Sequence, residues 1–114
     1  MALIYKICPR SAWQAAEAAG RFDGAAIDLA DGFIHFSTAA QVAETAAKHF
    51  AGQSDLVLVA VTAERLGAAL RYEPSRGGAL FPHLYAPLDL ADVAWVKPLP
   101  LGPGNTHIFP PLQP

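Results

Sequence analysis

The run Leu56-Val-Leu-Val-Ala-Val61 is apolar at every position. A strand built from it has no polar face to turn toward water, so it must lie inside a sheet with both faces covered. It cannot cross a membrane, since a membrane-spanning helix needs ~20 apolar residues. The rest of the chain must therefore supply the cover. With 114 residues, 53% hydrophobic and 16% charged, it has the apolar surface for one packed domain and too little charge for disorder.

Around this run the local signals read in order. Residues 3–8 form a β-rich first strand ended by Pro9. Ser11 suits the N-cap of a helix over 12–19 that closes at Gly20, with Trp13 and Ala16 inward. Residues 21–24 read as a turn. A second helix over 39–51 carries Ala39, Val42, Ala43, Ala46, Ala47 and Phe50 as an inner stripe, with Glu44 and Lys48 paired outside. Thr62 caps a short helix or turn to Leu66. Further strands fall at 70–73, 81–85 and 92–97, with a loop at 75–78. The order β-α-β-α-β-(short α)-β-β-β gives an α+β fold with a mixed sheet and two main helices. Residues 1–98 form the domain. Residues 99–114, rich in proline, read as an extended tail.

Charge and cysteine usage exclude several partners. The net charge is −2 and the five arginines and three lysines are scattered, so no footprint for a nucleic-acid duplex or an anionic membrane exists. Cys8 is the only cysteine, which excludes an intramolecular disulfide and a cysteine-based zinc site. The N-terminal residues lack a basic start followed by a long apolar run, so a cytoplasmic protein is expected.

The chemistry concentrates in residues 28–41. Asp31-Gly32 is a turn, residues 33–37 a strand, and Thr38 with Gln41 a capping box opening the second helix. Strand alternation puts Phe33, His35 and Ser37 on one face and Ile34 and Phe36 on the other. The same parity groups His83 with Tyr85, and Arg71 with Glu73. If these strands are neighbours, one sheet side gathers two histidines, a serine, a tyrosine, an arginine and a glutamate, groups that donate, accept and titrate near neutral pH. Asp28 and Asp31 read as turn acceptors, His49 and His107 as solvated or local, and Trp13 and Trp95 as core. The spacing of a zinc motif is missing, and so is the G-x-S-x-G elbow of a hydrolase. A phosphate at the helix start by Thr38 fits better. His35-Phe-Ser37 echoes one half of the paired H-x-S/T sites of two-histidine phosphoesterases, while His83-Leu-Tyr85 has tyrosine where the second half needs Ser or Thr.

Asp31-Gly-Phe-Ile-His-Phe-Ser-Thr38 with Gln41, an isolated Glu73, and Phe81-Pro-His-Leu-Tyr85 together resemble the small, mostly bacterial family catalogued as domain of unknown function 952, across residues 4–99. The resemblance implies a partly split sheet similar to the ADP-ribosyltransferases and RNA 2′-phosphotransferases, with NAD or a related nucleotide in the cleft. It implies that His35, followed by Ser37 and Thr38, holds a ribose, and that Glu73 or Tyr85 fills the later positions. The toxin-type Glu-x-Glu pair of those enzymes has no counterpart here. The expected catalytic set is His35, Glu73 and His83, and the expected ligand-binding set is Ser37, Thr38, Arg71, Tyr85 and Asp28. The expected partner is a small anionic or nucleotide-like ligand, with ADP-ribosyl or 2′-phosphate transfer as the reaction. The rival expectation is a non-catalytic module that docks a partner on the same polar face and engages it with the tail.

Overall fold

The computed structural model describes residues 1–114, Arg76 through its backbone alone. The apolar run forms most of β5 (Leu56–Thr62). It lies between β1 (Leu3–Pro9) and β9 (Val93–Leu99), and β4 (Ser37–Thr38) joins the far side of β1, giving the order β4-β1-β5-β9. Leu58, Val59, Ala60 and Val61 are fully buried because both sheet faces are covered. On one face Val57, Val59 and Val61, with Ile4 and Cys8, meet Trp13, Phe22, Ile34, Phe36, Leu84 and Leu88. On the other, Leu56, Leu58 and Ala60, with Tyr5 and Ile7, meet Val42 and Ala46 and are covered further by Phe109 and Leu112. The alternation along β5 thus feeds two cores.

Two smaller sheets flank the first. β3 (Ile34–His35), β7 (Leu80–Leu84) and β6 (Leu70–Pro74) pair in that order. β2 (Arg21–Phe22) pairs with β8 (Leu88–Asp89), where the sequence predicts a turn. Every ladder is antiparallel, which corrects the expected mixed sheet. A parallel neighbour needs a crossover between adjacent strands. The second long helix does join β4 to β5, but β1 lies between them.

The helices are α1 (Arg10–Ala19), α2 (Ala26–Asp31) and α3 (Val42–His49). α1 starts directly after Pro9, ahead of the expected Ser11 cap, and ends as expected at Gly20, with φ of 82°. α3 starts three residues past the expected position, and α1, not α3, is the longest helix. The reason is local. Thr38 still pairs with Ile4 in β4, so its backbone is committed to strand. Gln41 Oε1 does accept the Thr38 N–H at 3.0 Å, and this bond clamps the turn before α3 instead of its first turn. Val42 and Ala46 are buried, while Ala43 and Ala47 of the expected stripe are exposed. The C-terminal segment folds back. His107, expected to be solvated or local, is buried and its Nε2 meets Gln53 O at 2.8 Å. The Tyr5 hydroxyl donates to Gln113 O and accepts from Gln113 N–H. No helix among the described residues is long and apolar enough to cross a membrane.

Candidate functional site

The single strand expected over 33–37 is divided. β3 belongs to the second sheet and β4 to the first, with Phe36 at the crossing, its N–H donated to Pro82 O at 2.9 Å. This division opens a cavity. β4 pairs with β1 only at Ile4 and Tyr5, so from Lys6 onward that edge of β1 has no strand beside it. The space there is about 490 Å³. Its polar lining includes Lys6, Asp31, His35, Ser37, His49 and His83, and its apolar walls include Ile27, Phe36, Phe50 and Phe81.

The two histidines are brought together by register. His35 lies opposite His83, and His83 opposite Arg71. Opposed residues in an antiparallel pair share a face. The imidazole centroids are 5.6 Å apart at an edge-on angle. Phe33 packs on both, 4.2 Å from His83 in a stacked arrangement and 4.6 Å from His35. The predicted adjacency of the three strands, and with it the convergence of His35 and His83, is therefore present.

Asp28 sets the position of His35. It is the third residue after Ala25 at the start of α2, and Oδ2 accepts the Ala25 N–H at 2.7 Å. Gly24, at φ 119°, lets the chain pass close above it, since a Cβ there would meet Asp28 Cβ at 2.8 Å. Oδ1 accepts from His35 N–H at 3.0 Å and Lys6 Nζ at 2.8 Å, and lies 2.6 Å from His35 Nδ1. Burial alone would raise the Asp28 carboxyl, but the bonds from His35 and Lys6 outweigh it and hold it down at about 2. Burial lowers the Lys6 ammonium from its usual range, opposed by Asp28. Asp31, the last residue of α2, places Oδ2 2.9 Å from His35 Nε2. His35 is thus gripped at both ring nitrogens. Asp28 does more than accept a turn bond: it is a buried hub.

On the other side Glu73 Oε1 meets His83 Nδ1 at 2.8 Å and accepts from the Tyr85 hydroxyl at 2.7 Å. A carboxylate can only accept, so Nδ1 carries a proton, and in the neutral ring Nε2 is left as an acceptor. The bonds from Tyr85 and then His83 lower the Glu73 carboxyl, and the same bond to Glu73 raises the Tyr85 phenol. The Arg71 guanidinium lies 4.9 Å from the Tyr85 ring centroid. Ser37 Oγ is 2.9 Å from Thr45 Oγ1.

Of the expected site residues, His35, Ser37 and His83 line the cavity. Asp28 stands behind His35, and Glu73, Tyr85 and Arg71 stand behind His83, none of them lining it. Thr38 lies outside the cavity lining, and α3 does not begin at it, so the expected phosphate position at a Thr38 helix start is corrected. Sequence reasoning missed Lys6, Asp31 and His49 as lining residues and Phe33 as the ring between the histidines. For Lys6 a signal existed, since a lone lysine between apolar neighbours in a buried strand needs a partner. Among the described residues no group of three or more His, Cys, Asp or Glu is placed to hold a metal ion. Cys8 is buried, and burial pushes its thiol up to about 11, away from thiolate chemistry.

A family model described as "Protein of unknown function (DUF952)" matches residues 7–96. The chain is similar to the crystal structure of protein CC0527 from Caulobacter crescentus, with 56% identity, a TM-score of 0.90 and 93% of each chain covered. It is similar also to the solution NMR structure of CC0527, with 57% identity, a TM-score of 0.84, and coverage of 93% of this chain and 91% of that one. No curated protein matches.

Proposed function

The chain belongs to the DUF952 family, and from its own geometry we infer that the cavity binds a small nucleotide-like or phosphorylated-ribose ligand. The observation that carries this is the convergence of His35, Ser37 and His83 on one cavity with aromatic walls. Apolar walls with a few converging polar groups are the usual make-up of a small-molecule site. Rings such as Phe36, Phe50 and Phe81 suit a base, while the imidazoles and the hydroxyl suit ribose and phosphate oxygens. The opening between β3 and β4 and the His35-x-Ser37 spacing within it support likeness to the split-sheet nucleotide clefts of ADP-ribosyltransferases and RNA 2′-phosphotransferases.

The reading extends to ADP-ribosyl or 2′-phosphate transfer. His35 and Ser37 orient the ribose through its phosphate oxygens, and His83 Nε2 takes the proton of an acceptor hydroxyl as that oxygen bonds to ribose C1 or to phosphorus and nicotinamide or the ribose 2′-oxygen leaves. Glu73 holds His83 in the required tautomer through Oε1, which His83 and Tyr85 share. NAD and ADP-ribose are the ligands to test. The thermal midpoint of the wild type should rise with their concentration, and His83→Ala should lose that rise. A wild-type midpoint that neither compound moves at millimolar concentration overturns the reading.

A further inference from the structure

Lys6 is the cavity residue that packing accounts for least. Its side chain is 5% exposed, on the β1 face whose other members, Ile4 and Cys8, are core. An ammonium carries three N–H donors. Among the described residues Asp28 Oδ1 is their one acceptor. A buried ammonium costs stability even when paired, and an apolar side chain of similar length would avoid that cost. Yet Lys6 lines the cavity, beside Ser37 and His35. Its counter-ion is heavily shared, because Asp28 also takes the Ala25 N–H, the His35 N–H and the His35 ring. Across the ring from Asp28, the Asp31 carboxylate meets His35 Nε2. Asp31 is 45% exposed and ends α2, next to Gly32 with φ of 85°. A carboxylate of the chain itself therefore occupies the place where an anion bound to His35 Nε2 would lie.

We propose that Lys6, His35 and Ser37 form the subsite for the ligand's phosphate group, and that Asp31 is the group this phosphate displaces from His35. The proposal rests on the reading of the cavity as a phosphorylated-ribose or nucleotide site and adds which end of it holds the anion. Lysine binds phosphate as a point charge, and a charge-assisted bond of this kind discriminates strongly against a neutral ligand.

Titration calorimetry on the full chain with inorganic phosphate, ribose 5-phosphate and ribose tests it. Lys6→Met alone would strand the buried Asp28 charge, so it is combined with Asp28→Asn. The double variant should bind ribose 5-phosphate at least about tenfold more weakly than Asp28→Asn alone, which disturbs His35 in the same way but keeps the Lys6 charge. Asp31→Asn should tighten both phosphate probes several-fold and leave ribose unchanged. Ribose 5-phosphate binding that is equal in Asp28→Asn and the double variant overturns the proposal, as does a wild type that binds no phosphate probe. A wild type that binds ribose as tightly as ribose 5-phosphate also overturns it, while leaving the cavity reading intact. If inorganic phosphate binds with the Lys6 dependence but ribose 5-phosphate and NAD bind no better, the subsite stands and the nucleotide-like reading falls. Should the double variant or Asp28→Asn fail to fold, Asp31→Asn decides: a phosphate affinity that is unchanged or weakened overturns the proposal.

Discussion

Asp28 shows what one buried carboxylate commits a protein to. Its carboxyl sits at about 2 in the folded chain against 3.8 as its ordinary value. A depressed acid adds stability above the unfolded value and loses it as pH falls through the folded one. The contribution of about 2 kcal/mol is therefore present above pH ~4 and lost between ~4 and ~2. Urea unfolding followed across that window should show the loss, and Asp28→Asn should flatten it while removing about 3 kcal/mol at neutral pH, because Lys6 is left unpaired. At Glu73, Glu73→Ala should leave the melting temperature almost unchanged and free the His83 ring. The check is the ¹⁵N signature of its tautomer, with ligand affinity falling alongside. The faces of His35 and His83 were legible, since period-two alternation assigns each within its own strand, while their pairing rested on an assumed adjacency of the strands. The partners of Lys6 and Asp31 were not: the apolar neighbours of Lys6 show that it needs a partner, but which one depends on where α2 returns the chain, and no local pattern states that.

α2 explains why part of the site was hidden at the level of elements. Its apolar residues Ile27 and Leu29 are 58% and 65% exposed, while Asp28 between them is buried. Hydrophobic periodicity finds helices that bury their apolar side, and this one is inverted. Such inversion is where a fold departs from its own packing rules, and departures concentrate at functional sites. β5, by contrast, was plain in the sequence because nothing in it departs from those rules. The division of residues 33–38 between two sheets was illegible for a different reason: alternation continues through Phe36 although the ladder partner changes. The turn after it is secured by Gln41, which accepts the Thr38 N–H and donates to Leu80 O at 2.7 Å. Gln41→Ala should cost about 1 kcal/mol in denaturant unfolding, the net value of two partly exposed bonds.

Across the whole molecule, the tail belongs to the structure that positions the site. Phe109 and Leu112 pack on the core that includes Tyr5 and Phe50, and Tyr5 and Phe50 also line the cavity. The expectation of an extended tail free to engage a partner overlooked those two apolar residues, because the surrounding prolines dominate its composition. Removing residues 107–114 should lower stability by about 2 kcal/mol or more, from apolar surface returned to water, and should loosen ligand binding with it. The clasp between Tyr5 and Gln113 joins positions 108 residues apart. A contact of that reach closes only after the intervening chain is ordered, so it lies late on the folding route. Tyr5→Phe should therefore leave the refolding rate nearly as it is and speed unfolding, with the folding limb of a stopped-flow chevron superimposed on the wild type and the unfolding limb raised. The tail acts as a brake on opening, which sets the lifetime of the folded state more than the speed of reaching it.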